Sequence, residues 1–187
     1  YDLAGSGCAG FLQALDVARS RVLAGAASRV LVLGVELLTR LMSWTDRNTC
    51  VLFGDAAGAA VVGASPNAAE ILSAVAGTDG SAAGILALEA GGTKVPFSDE
   101  VARQELHHKI DFHGREVFRH AVKRMAQAGR EALAKAGHAI EDVALLVPHQ
   151  ANLRILEAVR RELELPPEKV FVNLQEYGNT GSASVPL

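Results

Sequence analysis

Only two cysteines, six prolines and 5% aromatic residues occur among the 187 residues of the chain. Two thiols in a chain of this length do not make a disulfide framework, and with no signal peptide in view the expected compartment is a reducing cytoplasm. No apolar run approaches the roughly 20 residues that span a bilayer, so no membrane partner is expected. Charge is balanced as well: 18 Lys and Arg against 21 Asp and Glu leave a net charge of -3. A global basic field that would draw in nucleic acid or anionic lipid is therefore excluded. What is present is 49% hydrophobic and 21% charged residues with 18 glycines, a composition that excludes disorder and collagen-like repeats and fits a globular domain with one substantial core. The chain opens on Tyr1-Asp2-Leu3-Ala4, which reads as the tail of a strand, and closes at Ser184-Val185-Pro186-Leu187 as a helix begins. A partial chain is the expectation.

Periodicity points to an α/β fold. Phe11, Leu12, Leu15, Ala18 and Val22 recur at helical spacing just after Cys8, and Val117, Phe118, Ala121, Val122, Met125, Ala132 and Leu133 mark one face of a long helix ending at Gly137. Leu153, Leu156 and Val159 suggest another. Between them, Val30–Val35 and Val143–Val147 are continuous apolar runs that predict strands buried on both faces. Val51–Phe53, Ala59–Val62, Ile71–Val75, Ile85–Leu88 and Val170–Val172 predict further strands, with Gly54–Gly58 a turn. Strands alternating with long helices imply a mainly parallel sheet. Ser65-Pro66-Asn67 is the best internal boundary, and it divides the chain into residues 1–65 and 66–187. The stretch from Arg103 to Lys135 carries eight bases and four acids, the makings of a positive face for an acidic partner or of an ordinary solvated helix.

Three segments carry candidate chemistry. Gly5-Ser6-Gly7-Cys8-Ala9-Gly10 fits the G-x-G-x-x-G pattern of a dinucleotide-binding turn, with Glu36 ending a later strand. The same segment places a thiol at the mouth of a helix, where peptide N–H groups lower a thiol pKa and create a nucleophile. Pro148-His149-Gln150-Ala151-Asn152-Leu153-Arg154 puts an imidazole at the carboxyl end of a predicted strand, the end at which α/β proteins collect ligands. Tyr177-Gly178-Asn179-Thr180-Gly181-Ser182-Ala183-Ser184 is a small-residue loop with one amide at its centre. A cysteine, a histidine and an asparagine can form one nucleophilic site, with two side-chain donors for a developing oxyanion. Cys50, in an apolar run, reads as structural, and His107, His108 and His113 lack the companions a metal site needs. Trp44 reads as packing as readily as recognition.

Six strings in order, D-L-A-G-S-G-C-A-G-F around Cys8, W-T-D-R-N-T at 44–49, F-G-D-A-A-G-A-A at 53–60, G-R-E-V-F at 114–118, V-P-H-Q-A-N-L-R-I at 147–155 and G-N-T-G-S-A-S-V-P at 178–186, run almost the length of the chain. With them the sequence resembles the β-ketoacyl-acyl-carrier-protein synthase III family of thiolase-superfamily condensing enzymes. The resemblance implies a thiolase-like layered α/β/α/β/α sandwich truncated at both ends, residues 1–65 being the later part of one half and 66–187 most of the other. It implies a decarboxylating Claisen condensation of an acyl-CoA with malonyl-acyl-carrier protein, with Cys8, His149 and Asn179 catalytic. Arg47, Gly114 and Asn152 are then expected to bind CoA or substrate, and Gln150, Ala151, Asn152, Leu153 and Arg154 to meet the carrier protein. No cofactor or metal, a cytoplasmic location and a homodimer are implied too. Ala56 departs from the family, which often has a second glycine there, and Asp99–His113 differs from its usual entrance segment. The glycine-rich loop that completes the family's oxyanion hole is missing. The 187-residue piece alone is therefore expected to be inactive and poorly soluble. A related condensing enzyme of secondary metabolism is the alternative within the superfamily; a dinucleotide-binding oxidoreductase and a non-catalytic binding fragment are the alternatives outside it.

Overall fold

The computed structural model describes residues 1–3, 7–65 and 67–187. Gly5 of the glycine-rich pattern and Pro66 of the expected boundary lie outside the described residues. A 3₁₀ turn at Gly7–Ala9 leads into helix α1, Gly10–Leu23, and then strand β1, Arg29–Leu37. Strand β2, Asp55–Gly63, returns antiparallel to it. Next come β3, Leu86–Leu88, the short helix α2, Asp99–Arg103, and β4, Ile110–Phe112, which pairs antiparallel with β3. Helix α3, Gly114–Ala136, ends at Gly137, whose positive φ of 76° closes the last turn. Helix α4, Leu153–Glu162, follows the segment carrying His149, and the chain finishes with α5, Leu174–Tyr177, and a 3₁₀ turn at Gly181–Ser184.

Two hydrophobic clusters hold these elements. Phe11 and Ala18 of α1 pack on Val32 of β1, with Val30, Ala60, Val62 and the distant Val185 at the margin. Ala126 of α3 packs on Ile155 and Val159 of α4 and on Leu163 and Leu165 beyond it. Helix faces repeating every three or four residues supply both clusters, as the apolar spacing predicts. None of the described helices is long and apolar enough to cross a membrane.

The strands depart from expectation in three ways. Parallel pairing among the described residues is confined to two isolated bridges, Phe53 with Asn179 and Leu146 with Val170, whereas both named sheets are antiparallel. Val143–Val147 and Val170–Val172 thus meet where strands were expected but make single bridges, and Ile71–Val75 is not a strand at all. Gly54–Gly58 is not a turn: from Asp55 onward it is strand, because the full length of β1 is there to pair with it. Finally, β1 is not buried on both faces. Val32 and Gly34 are buried, but Leu31, Leu33 and Val35 on the other face are more than half exposed, because no layer of described residues lies over them.

The alternation of β1 sets up the site. With side chains pointing to opposite faces at each step, Val32, Gly34 and Glu36 share the face on which α1 and the Gly181–Ser184 turn pack. Gly34 stands opposite Gly58 across the ladder. A Cβ on Gly34 would lie 2.9 Å from the Ser182 carbonyl oxygen, and one on Gly58 would lie 2.7 Å from the Pro186 ring. The glycine pair is the seat for the Gly181–Pro186 segment. Gly34→Ala in the complete protein is therefore expected to lower stability by about 1–3 kcal/mol, the usual cost of overpacking, while Gly77→Ala, where nothing lies within 4 Å, stays near neutral. Urea midpoints for the two variants check this; equal midpoints would show that the Gly181–Pro186 segment does not need Gly34 as its seat.

Candidate active site

The Gly181–Ser184 turn brings the three candidate catalytic residues to one place. The Gly7–Ala9 turn that carries Cys8 packs directly against it. Asn179 lies just before it, and its Oδ1 accepts the Gly181 N–H at 3.0 Å. His149 reaches it through Nδ1, 2.7 Å from Ser184 Oγ.

Each of these residues is held by backbone as well. Asn179 donates its N–H to the Leu52 carbonyl at 2.8 Å and accepts from Gly54 N–H at 2.9 Å, which fixes it beside Phe53. With Oδ1 occupied by Gly181, the Asn179 amide nitrogen keeps both protons for another acceptor. His149 follows the Leu146–Val170 bridge, and the residue after it is an anchor. Gln150 is fully buried; its amide donates to the Pro148 and Phe171 carbonyls and accepts from Asn173 N–H. Every polar atom of that side chain is satisfied inside the protein.

Electrostatics come from burial and from Glu36. Burial pushes the His149 pKa down to about 4, against smaller upward contributions from the Gly181 backbone and the Glu36 carboxylate. The ring is thus neutral at physiological pH, with one N–H and one bare nitrogen. An unfolded imidazole takes up a proton as pH falls through about 6.5, while the folded one does not until about 4, so acid in that window favours unfolding. Cys8 is a free thiol on an exposed residue. Its pKa is nevertheless raised: burial of the thiol contributes most, the Glu36 carboxylate adds to it, and the residue's own backbone N–H opposes both. The expectation of a thiol acidified by its helix is not met, because desolvation and a nearby carboxylate outweigh the peptide donors. Glu36 itself accepts the Ser182 N–H at 3.0 Å.

The other expected residues are distributed differently. Gln150 is corrected outright as a carrier-protein contact, since a fully buried and fully bonded amide has nothing to offer a partner. Leu153 is 61% exposed and Arg154 lies beside it on the surface, while Ala151 and Asn152 are half-buried. Asn152 Oδ1 accepts the Ile155 N–H at 2.9 Å, so this residue starts α4 as an N-cap, a local role that spacing alone would have offered. Arg47 is exposed on a turn shaped by Asp46, whose carboxylate accepts from Asn48 N–H and Thr49 Oγ1. Gly114 opens α3 beside the Phe112 ring and lines an open hollow with Asp111, His113 and Glu116; the three candidate catalytic residues do not line it. Cys50 lies in a turn, not a strand. The His107 and His108 rings meet at a tilt of 45°, centroids 3.9 Å apart, and among the described residues no group of three or more His, Cys, Asp or Glu is placed to hold a metal ion. Glu36, expected to end a strand in the dinucleotide reading, spends its carboxylate on the Ser182 N–H instead. Sequence reasoning missed Glu36 and Ser184 as parts of this site. The alternation of β1 would have put Glu36 on the inner face, whereas no local pattern marks Ser184.

A family model described as 3-oxoacyl-[acyl-carrier-protein] synthase III matches residues 1–80, and the model of that family's C-terminal part matches residues 133–187. A β-ketoacyl-[acyl-carrier-protein] synthase III of Roseiflexus sp. (strain RS-1) is 48% identical over the whole chain, which corresponds to 56% of the relative's length. The solved structure of β-ketoacyl-[acyl carrier protein] synthase III from Thermus thermophilus superposes with a TM-score of 0.85 at 44% identity, over 96% of this chain and 55% of that one. A priming β-ketosynthase from the R1128 polyketide biosynthetic pathway superposes with a TM-score of 0.80 at 36% identity, over 96% and 53%. The chain spans about half the length of the curated relatives it matches.

Because the Glu36 carboxylate holds the Cys8 pKa up, Glu36→Gln is expected to lower it. Alkylation of Cys8 by iodoacetamide, followed by peptide mass spectrometry across pH, should show its midpoint moving to lower pH and a faster rate at pH 7. A midpoint that stays put or rises would contradict the electrostatic role assigned to Glu36.

Proposed function

The chain belongs to the 3-oxoacyl-[acyl-carrier-protein] synthase III family and has its thiolase-like α/β fold, and from that footing we propose that the complete protein is an acyltransferase that performs a decarboxylating Claisen condensation. An acyl-CoA first acylates Cys8, releasing CoA; malonyl-acyl-carrier protein then loses carbon dioxide, and the resulting carbanion attacks the acyl-Cys8 thioester to give a 3-oxoacyl-acyl-carrier protein. The observation that carries this reading is the convergence of Cys8, His149 and Asn179 on one 3₁₀ turn.

Physical chemistry assigns the roles. Cys8 carries the thiol that can hold the acyl group as a thioester, the covalent intermediate of the first half-reaction. In the second half-reaction negative charge develops on the malonyl thioester oxygen, and two preorganised donors meet it: the Nε2–H of neutral His149 and the free amide of Asn179. A neutral imidazole suits this task, and burial of His149 keeps it so. The thioesters and the departing carbon dioxide supply the driving force, so the reading calls for no cofactor or metal. Residues 1–65 and 66–187 belong, in this reading, to two similar halves. Separate matches to an amino-terminal and a carboxyl-terminal family model support two parts, although the first match runs on to residue 80.

Arg47, Gly114 and Asn152 belong to the CoA and substrate side of this proposal, and Ala151, Asn152, Leu153 and Arg154 to carrier-protein docking. The exposed Arg154 at the start of α4 and the many bases of α3 have the charge sign an acidic carrier would seek. A cytoplasmic homodimer completes the proposal. The likeness to a polyketide priming β-ketosynthase favours a second reading in which the same chemistry starts a polyketide; analysis of the product released from the carrier separates the two.

Mass-tagged acyl-CoA is expected to label Cys8 in the complete protein, and His149→Ala and Asn179→Ala are expected to keep that label while losing condensation by about a hundredfold or more. Label on Cys50 instead, or variants that lose acylation but keep malonyl decarboxylation, would overturn the assignment. Arg154→Glu should slow the reaction with malonyl-carrier protein at low salt and weaken its salt dependence, leaving acylation by acyl-CoA as it was; unchanged kinetics would remove Arg154 from the docking surface.

A further inference from the structure

Glu36 stands on the inner face of β1 and bonds a residue 146 positions further along the chain. Its Oε1 accepts the Ser182 N–H at 3.0 Å, and the residue before Ser182 is pressed against the same carboxylate. A Cβ on Gly181 would lie 2.8 Å from Glu36 Cδ and 2.9 Å from Oε1. Glycine leaves that space to the carboxylate, and it takes up the positive φ of 54° found there without strain. Two acceptors then take the successive N–H groups of the turn: Asn179 Oδ1 takes that of Gly181, and Glu36 takes that of Ser182.

Gly181 is also where both oxyanion donors are tied. Its N–H holds Asn179 Oδ1 at 3.0 Å, and its backbone is hydrogen-bonded to the His149 ring. Cys8, by contrast, is carried by the Gly7–Ala9 turn and α1. A displacement of Gly181 therefore reaches Asn179 and His149 through one bond each, while Cys8 keeps its own support. We propose that Glu36 is the positioning residue for the two oxyanion donors: by holding the Ser182 N–H and filling the space over the Gly181 Cα, its carboxylate fixes the residue to which Asn179 and His149 are tied. The inference rests on the roles given to those two residues under the proposed function and adds the group that aligns them. Glu36 acts here through Gly181, without touching the substrate.

Reach and charge make separable demands on this side chain. Glutamine has the reach of glutamate, and its amide oxygen can accept the Ser182 N–H. Aspartate keeps the charge but is one methylene short. Alignment of the donors should follow reach, whereas the Cys8 thiol, whose pKa the Glu36 carboxylate raises, should follow charge.

The test uses the complete protein with Glu36→Gln and Glu36→Asp, each checked for cooperative unfolding in urea. Enzyme already acylated on Cys8 is mixed with malonyl-carrier protein in a single turnover, so that the free thiol no longer enters the rate. Glu36→Asp should condense about tenfold to a hundredfold more slowly, the scale of a donor displaced by about an ångström, and Glu36→Gln should recover most of that loss. The iodoacetamide midpoint of Cys8 should rank the other way, falling in Glu36→Gln and staying high in Glu36→Asp. Hydrogen exchange at the Gly181 and Ser182 amides, read by mass spectrometry, should quicken in Glu36→Asp and much less in Glu36→Gln. Added to Asn179→Ala, Glu36→Asp should cost a smaller factor than in the parent, because one of the donors it aligns is already gone. Should Glu36→Asp fold poorly, Glu36→Met, as long as glutamine but without an acceptor oxygen, gives the same comparison.

Equal condensation by the Gln and Asp variants, unchanged exchange at Gly181 and Ser182 in Glu36→Asp, or the same fold-loss in the Asn179→Ala background overturns the proposal. If His149→Ala and Asn179→Ala themselves condense normally, the proposed function fails, and the exchange result still decides whether Glu36 holds the turn. If those two variants lose condensation while Glu36→Asp keeps it, this inference fails alone.

Discussion

The Gly181–Ser184 turn is the constraint on which the rest of the site depends. It touches the Cys8 turn, receives the Asn179 side chain at its first N–H, and meets His149 at its last side chain. Asn179 stands 171 positions from Cys8 and 30 from His149 in the sequence, so local structure could not co-position the three. They are aligned because one short turn is seated on the β1–β2 ladder, where a cross-strand pair of glycines lets its backbone approach. Rigid support of this kind is what a preorganised oxyanion site needs, since misplacement of a donor by an ångström removes most of its effect.

The same turn links structure to charge. Glu36, on the inner face of β1, accepts the Ser182 N–H and thereby ties the turn to the strand. Its carboxylate also raises the pKa of Cys8 and opposes the burial that depresses His149. One side chain therefore anchors the site and sets part of its electrostatics, and the two functions cannot be separated by removing the residue, only by neutralising it. Gln150 plays the complementary part on the other side. Its buried amide joins the Pro148, Phe171 and Asn173 backbones, so the segment that presents His149 is braced against the strand-like segment at Val170.

Helices were more legible than strands. The apolar spacing located α1, α3 and α4, and Gly137 marked the end of α3, because a helix is defined by contacts three and four residues apart that a local pattern records. Strand pairing joins distant segments, and there the local signal failed: Gly54–Gly58 carries the composition of a turn yet lies largely in β2, and Ile71–Val75 has the composition of a strand without a strand partner among the described residues. The buried-on-both-faces reading of Val30–Val35 failed for a related reason, since an apolar run does not say what lies over each face. Gln150 illustrates the same limit in the site. Next to His149 it looked like a surface contact, but its buried amide is held by the Phe171 and Asn173 backbones, 21 and 23 residues further along the chain.

By itself the sequence determined which residue types were available, a thiol at a helix start, an imidazole after an apolar run and an amide in a small-residue loop, and the long ordered strings around them identified the family. These are local chemical facts, written in neighbouring letters. Tertiary structure alone decided that Cys8 is held at a raised rather than a lowered pKa, that Glu36 is its electrostatic neighbour, and that the hydroxyl beside His149 Nδ1 belongs to Ser184. Each depends on desolvation, on Coulomb interaction or on a hydrogen bond between groups far apart in the chain. Such interactions act through distance in space, which the fold creates and no local pattern contains.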